Sequence, residues 1–224
     1  MNRIIPRNMR IPLALAVVFN CITYYGARIL TADRIHYDLS IGLDDRIPFM
    51  PWTVSIYWGC YLFWIINYII GCRQRSEEAF RFVSADFAAK AVCLICFLAL
   101  PTTNSRPAVE GSCVWSELMR MLYRVDAADN LFPSIHCLTS WFCFIAVRKN
   151  PGIPGWYKAA SLLIAVSICL STLTTKQHVL IDVLGGVALA EGSWLFVEKS
   201  GFSGQYARIL SRAGAKRRRE EESF

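Results

Sequence analysis

This chain is poor in charge and almost devoid of histidine. Charged residues make up 18% of its 224 positions, and the three histidines are His36, His136 and His178. Apolar residues make up 54%, with a mean hydropathy of +0.35. They come in blocks with the charges between them, which excludes an ordinary soluble globule, whose helices carry a polar face. No internal repeat, low-complexity tract or long linker is visible, so solenoids and tethered arrays are excluded, and the length is that of one domain. No small-residue cleavage pattern follows the first apolar block, which is therefore expected to stay as a span. The nine cysteines are odd in number and mostly inside apolar blocks, which argues against a disulfide framework. Cys93 and Cys96 form a CxxC without a second pair and read as small packing residues.

What is there is a series of six apolar stretches, at roughly 11–30, 52–71, 87–103, 131–147, 157–175 and 178–197. Each is near the ~20 residues that cross ~30 Å of hydrocarbon. The expected fold is an all-α polytopic membrane protein: a six-transmembrane-helix bundle over residues 1–200, with a basic, partly disordered tail over 201–224. The net charge of +7 belongs to topology and not to nucleic acid. Basic residues crowd the termini and the loops on the N-terminal side. On the other side they are fewer: Arg28, Arg34, Arg46, Arg106, Arg120, Arg124 and Lys176. This bias places both termini in the cytoplasm of a multi-pass cell-membrane protein. The run Lys216, Arg217, Arg218, Arg219 then reads as a topology signal that can also touch anionic lipid.

Within the second outward loop, Trp115, Leu118, Met119 and Leu122 fall at helical spacing. They predict a short amphipathic helix at the membrane surface, either a packing element or a wall of a lipid site. Trp52, Trp58 and Trp64 read as lipid-facing interface aromatics. Asp44, Asp45 and Arg46 read as an interfacial cap before the second span. Glu191 reads as a partner for helix packing, and His36 lies outside any pattern.

The chemistry gathers at the outward ends of the later spans. His178 and Asp182 lie at i and i+4, on one helix face. The carboxylate can accept a hydrogen bond from one ring nitrogen and leave the other as a nucleophile or base. Such a pair, taken alone, also fits a buried bond that only ties helices together. Three features weigh against that plainer reading. The stretch NLFPSIH puts His136 after a Pro-Ser turn, Arg106 and Pro107 follow the third span, and Lys176 precedes His178 by two residues. Topology brings all of them to one side. Arginine and lysine can hold phosphate oxygens, and backbone N–H groups near Ser134 add donors. One imidazole can attack phosphorus while the other protonates the leaving oxygen. No carboxylate cluster with Mg²⁺ spacing stands beside them, so metal-free phosphoryl transfer, with no cofactor, fits best.

These segments resemble the type 2 phosphatidic acid phosphatase superfamily of membrane lipid phosphatases. Its blocks are Lys-x6-Arg-Pro, Pro-Ser-Gly-His and Ser-Arg-x5-His-x3-Asp. Here Arg106 and Pro107 match the first, Pro133, Ser134 and His136 the second, and Ser171, His178 and Asp182 the third. The resemblance covers about 99–186 and implies a six-span bundle. It also implies a phosphohistidine on His178 oriented by Asp182, with His136 as acid and then base, and phosphate held by Arg106 and Ser134. Ala99, Thr172 and Ile135 stand where the family has lysine, arginine and glycine, and Lys176 is expected to replace one lost cation. The stretch YRVDAADNLFPSIH, with Asp126 and Asn130, is similar to a branch that includes inositol phosphorylceramide synthase-like enzymes. Three functions follow as expectations: hydrolysis of a lipid phosphate or pyrophosphate, transfer of a phospho-head group to a lipid alcohol, or lipid-phosphate binding without turnover. The expected partners are the lipid phosphate and membrane lipids.

Overall fold

A computed structural model describes residues 4–210. The first apolar block is one rod, Arg7–Thr31, in which α1 (Arg10–Cys21) and α2 (Ala27–Thr31) are joined through a wider π turn at Ile22–Gly26. There follow α3 (Val54–Cys72), α4 (Ser76–Ala99), α5 (Val114–Val125), α6 (Ile135–Arg148), α7 (Gly155–Thr174) and α8 (Leu180–Ser200). A two-residue parallel pairing joins β1 (Tyr37–Asp38) to β2 (Thr102–Thr103). The protein is thus an all-α polytopic membrane protein. Among the described residues five helical rods are long and apolar enough to cross a bilayer, whereas α6 has 14 residues.

The short helix is the centre of the bundle. α6 packs against α3, α4, α7 and α8, and most of its residues are buried. It starts four residues later than the apolar stretch suggests, because Pro133 and Ser134 hold the preceding chain extended and Ser134 Oγ caps the helix by accepting from Cys137 N. Non-helical backbone at such depth has to find partners inside the protein. Leu131 N and Phe132 N both donate to Thr102 Oγ1, at 2.8 and 2.9 Å, and Ser134 N donates to the Asp182 carbonyl at 3.0 Å.

The third span differs most from expectation. α4 begins at Ser76, not near 87, and stops at Ala99 because Pro101 forces Leu100 into extended backbone. Glu77, Glu78, Arg81 and Asp86 hide this start from a hydropathy reading. Inside the bundle the Lys90 ammonium donates to both Asp86 carboxylate oxygens at 2.8 Å, and the Tyr68 hydroxyl donates to Asp86 at 2.7 Å. Helix α8 closes at Gly201, whose φ of +67° is the left-handed conformation that ends helices. Residues 202–210 are helical where partial disorder was expected, and the Tyr206 ring packs against that of Phe87, tilted, with centroids 5.7 Å apart. The remaining tail, including Lys216 to Arg219, lies outside the described residues.

Several smaller expectations find their place. α5 is the expected amphipathic helix, with Met119 and Leu122 buried against Val54 and Tyr57. Glu191 binds Trp141 Nε1 at 2.7 Å and pairs with Arg148, tying α6 to α8. Asp44 is indeed a cap, but for the last helix and not the second span: its Oδ1 accepts from Leu180 N at 2.8 Å. Trp64 is not purely a lipid-facing aromatic: it is half-buried, and its Nε1 turns inward to donate to Ser140 Oγ at 2.9 Å.

α6 and α8 meet at backbone distance. A Cβ on Gly186 would lie 2.5 Å from the Ser134 carbonyl oxygen, whereas nothing lies within 4 Å of one on Gly192. Gly186→Ala is therefore expected to destabilise the detergent-solubilised protein by about 1–3 kcal/mol, the usual range for overpacking. Gly192→Ala should leave thermal unfolding unchanged. Equal melting curves for the two variants would contradict this contact.

Candidate active site

His178 sits in the turn between α7 and α8. That turn closes because Lys176 adopts a φ of +55° and the N–H groups of Gln177 and His178 both donate to the Thr172 carbonyl, at 2.9 and 3.1 Å. Asp182, in the first turn of α8, accepts from Val179 N at 3.0 Å and so caps the helix with its side chain. The same oxygen lies 3.3 Å from His178 Nδ1. A carboxylate only accepts, so Nδ1 carries the proton and Nε2 keeps its lone pair. Burial works to lower the His178 pKa, but the Asp182 bond and charge outweigh it and hold the imidazole above its ordinary value.

His136 is the second residue of α6. Its ring centroid lies 5.9 Å from that of His178 and 5.5 Å from that of Trp64. Its Nε2 is 2.9 Å from the Tyr57 hydroxyl, which reaches in from α3. Tyr57 donates in turn to Asp126 Oδ2 at 2.5 Å, and the Tyr24 hydroxyl bonds the other oxygen. Asp126 stands just past the end of α5. Burial pushes its carboxyl up, yet the two imidazoles and two tyrosine hydroxyls hold it below the usual carboxylate range.

Arg106 completes this end of the bundle. Its Nη1 donates to the Asp126 carbonyl at 2.6 Å, and its plane lies against the Tyr123 ring at 5.0 Å. Its Nε and Nη2 are buried and have no partner among the described residues. Those two atoms form the side-on edge of a guanidinium, the geometry that grips two oxygens of one anion.

The other expected phosphate ligands are placed differently. Lys176 donates its ammonium to the Asp44 carbonyl at 2.9 Å. It lines a cavity of about 520 Å³ shared with His178, Asn104, Ser105, Pro107 and Asp45. Ser134 is fully buried and occupied as the cap of α6. The gap between the imidazoles, lined also by Asp126, Asn130 and Gln177, is only about 10 Å³, room for one water-sized group. His178 therefore forms a wall between a tight polar cleft and a wide one. Ala99 and Thr172, at the two positions where the family carries cations, add no charge here; Thr172 is buried and its hydroxyl turns back to the Cys169 carbonyl.

Tyr24, Tyr57 and Gln177 escape a sequence reading. A tyrosine in an apolar block reads as an interface aromatic, and only the fold shows that two of them converge on Asp126. Asp126 carries a signal, an acid ten residues before His136 with Asp129 close behind it, but no partner for it is visible in the chain.

The family model described as PAP2 superfamily matches residues 35–196. No curated protein and no solved structure matches the chain.

The His178–Asp182 pairing has a direct signature. In a ¹⁵N-histidine NMR titration, His178 is expected to titrate above the ordinary ~6.5 of an imidazole, and Asp182→Asn should lower that value. A raised folded value stabilises the fold at low pH, and the contribution is lost as pH rises through it. An unchanged His178 titration in Asp182→Asn would show that the carboxylate does not govern the ring.

Proposed function

The chain belongs to the PAP2 superfamily, and from that premise we propose that it hydrolyses a lipid phosphate or pyrophosphate through a phosphohistidine on His178. Superfamily membership supports a phosphatase or phosphotransferase chemistry, and the long apolar helices make the protein membrane-integral. The observation that carries the finer reading is the pair of imidazoles 5.9 Å apart, one backed by Asp182 and one by Tyr57.

In this mechanism His178 Nε2 attacks phosphorus and the P–O bond to the lipid breaks. His136 gives its proton to the departing oxygen. His136 then takes a proton from water, the water oxygen attacks phosphorus, and the P–N bond breaks to release inorganic phosphate. Asp182 holds the Nδ1 proton throughout. The free edge of Arg106 grips two non-bridging oxygens; Ser134 supports the phosphate through the start of α6, and Lys176 from the wide cavity. Tyr57 and Asp126 hold the His136 ring toward the leaving group. The polar cavity beside His178 supports water as the acceptor. The scarcity of basic residues in the loops on this side supports an extracytoplasmic site with cytoplasmic termini.

The test uses purified protein and ³²P-labelled lipid phosphate, quenched during turnover. An acid-labile, base-stable label is expected on wild type and absent from His178→Ala, whose turnover should vanish. His136→Ala should slow phosphate release by about 10²–10⁴-fold. Since His178 must be neutral to attack, the acidic limb of the rate profile should lie above pH ~6.5 and move downward in Asp182→Asn. Label recovered only on an added lipid alcohol would replace hydrolysis by transfer. Lipid-phosphate binding with no release and no label would replace both by a binding role.

A further inference from the structure

We propose that the groove between α1 and α3 holds the chain of the lipid phosphate, and that the Thr139 hydroxyl at its floor donates to a carbonyl of an ester- or amide-linked acyl group. The groove has a volume of about 380 Å³, with Leu13 and Val17 on one wall and Tyr61 and Ile65 on the other. Its walls are membrane-spanning helices, so the medium outside is lipid and the group that fits the apolar lining is a hydrocarbon chain. This inference rests on the phosphatase reading for the position of the phosphate.

Continuity with the candidate site decides the occupant. Trp64 lines the groove and also packs its ring, tilted, against His136. Thr139 lies three residues past His136 on α6, about 4.5 Å further along the helix axis at 1.5 Å per residue. A lipid that carries its phosphate to the imidazoles, where the gap of about 10 Å³ has to widen to admit it, therefore brings its linkage region to Thr139 and its chain into the groove. The headgroup itself has no place there. The cation at the floor, Lys90, is already held by both oxygens of Asp86.

Thr139 is the feature that needs a ligand. It is 5% exposed, and its Oγ1 has no partner among the described residues. Helical threonines ordinarily satisfy the hydroxyl on their own preceding turn. Thr31, Thr172 and Thr175 all do so here, at 2.9, 2.7 and 2.6 Å. Thr139 does not; it lines the groove instead. A buried hydroxyl in an apolar channel favours a chain that brings its own acceptor. That describes an acylated lipid phosphate and not an isoprenoid phosphate, which carries no carbonyl.

The experiment compares diacylglycerol phosphate, an N-acyl sphingoid phosphate and farnesyl phosphate as substrates of the full-length protein in mixed micelles. Thr139→Val keeps the shape and removes the donor. It should lower kcat/KM about three- to tenfold on the acylated lipids, the range of one neutral hydrogen bond, and leave farnesyl phosphate unchanged. Thr139→Ser should restore the acylated rates; the diacyl and N-acyl arms show whether ester or amide is the preferred acceptor. A second measurement does not depend on turnover: quenching of Trp64 fluorescence by a phosphonate lipid brominated along its acyl chain, read as the difference between wild type and Trp64→Phe. Val17→Trp, which fills the groove mouth, should abolish that difference. Equal effects of Thr139→Val on all three lipids, or none, would overturn the carbonyl contact. Quenching untouched by Val17→Trp would overturn the groove. If no lipid is turned over while quenching persists, the phosphatase reading fails and the groove stands.

Discussion

One junction organises this molecule: the start of α6 lies against the first turns of α8. Ser134 N donates to the Asp182 carbonyl, and Gly186 leaves room for the Ser134 carbonyl at a distance no side chain would allow. The two segments each carry an imidazole, and this contact sets the distance between them. Shortening of α6 is part of the same arrangement. An extended stretch must precede it, and that stretch is tolerated at membrane depth because Thr102 and Asp182 take up its backbone donors.

Around the junction the protein handles buried charge by surrounding it with donors. Asp126 has two tyrosine hydroxyls on its carboxylate and the Arg106 guanidinium on its carbonyl. Asp182 is divided between a helix cap and an imidazole. Deeper in the bundle, Asp86 and Lys90 neutralise each other beside Tyr68. Ionisable groups at such depth are costly and face the interior. Those of the candidate site differ from the deep pair in one respect: Arg106 and Asp182 keep polar atoms without partners among the described residues, as does the neutral Gln177 beside them.

Much of the fold was legible because membrane burial writes itself into hydropathy. Four rods and the amphipathic α5 appear where apolar runs and helical spacing put them, and the fifth rod, α4, does so over its second half. The start of α4 was hidden because a hydropathy reading counts Glu77, Glu78, Arg81 and Asp86 as separate charges, while the fold pairs Arg81 with Glu77 and Glu78 and Asp86 with Lys90. Trp64 was only half read for a similar reason: an aromatic in a span suits lipid and protein equally, and its inward contacts to Ser140 and His136 appear only in the fold.

The sequence by itself determined the membrane class, the order of the spans, and the nearness of His178 to Asp182; the two do not share a helix face as the i, i+4 spacing suggested, because His178 lies in the turn before α8 and Asp182 reaches back to it from the first turn. It also marked Arg106, Ser134 and His136 as candidates on one side. Only the tertiary structure decided that Tyr57 and Asp126 back His136, that Arg106 keeps a free edge, and that Lys176 turns to Asp44. These are contacts between residues tens of positions apart. They depend on how helices cross and how closely backbones approach, and no spacing along one chain encodes that distance.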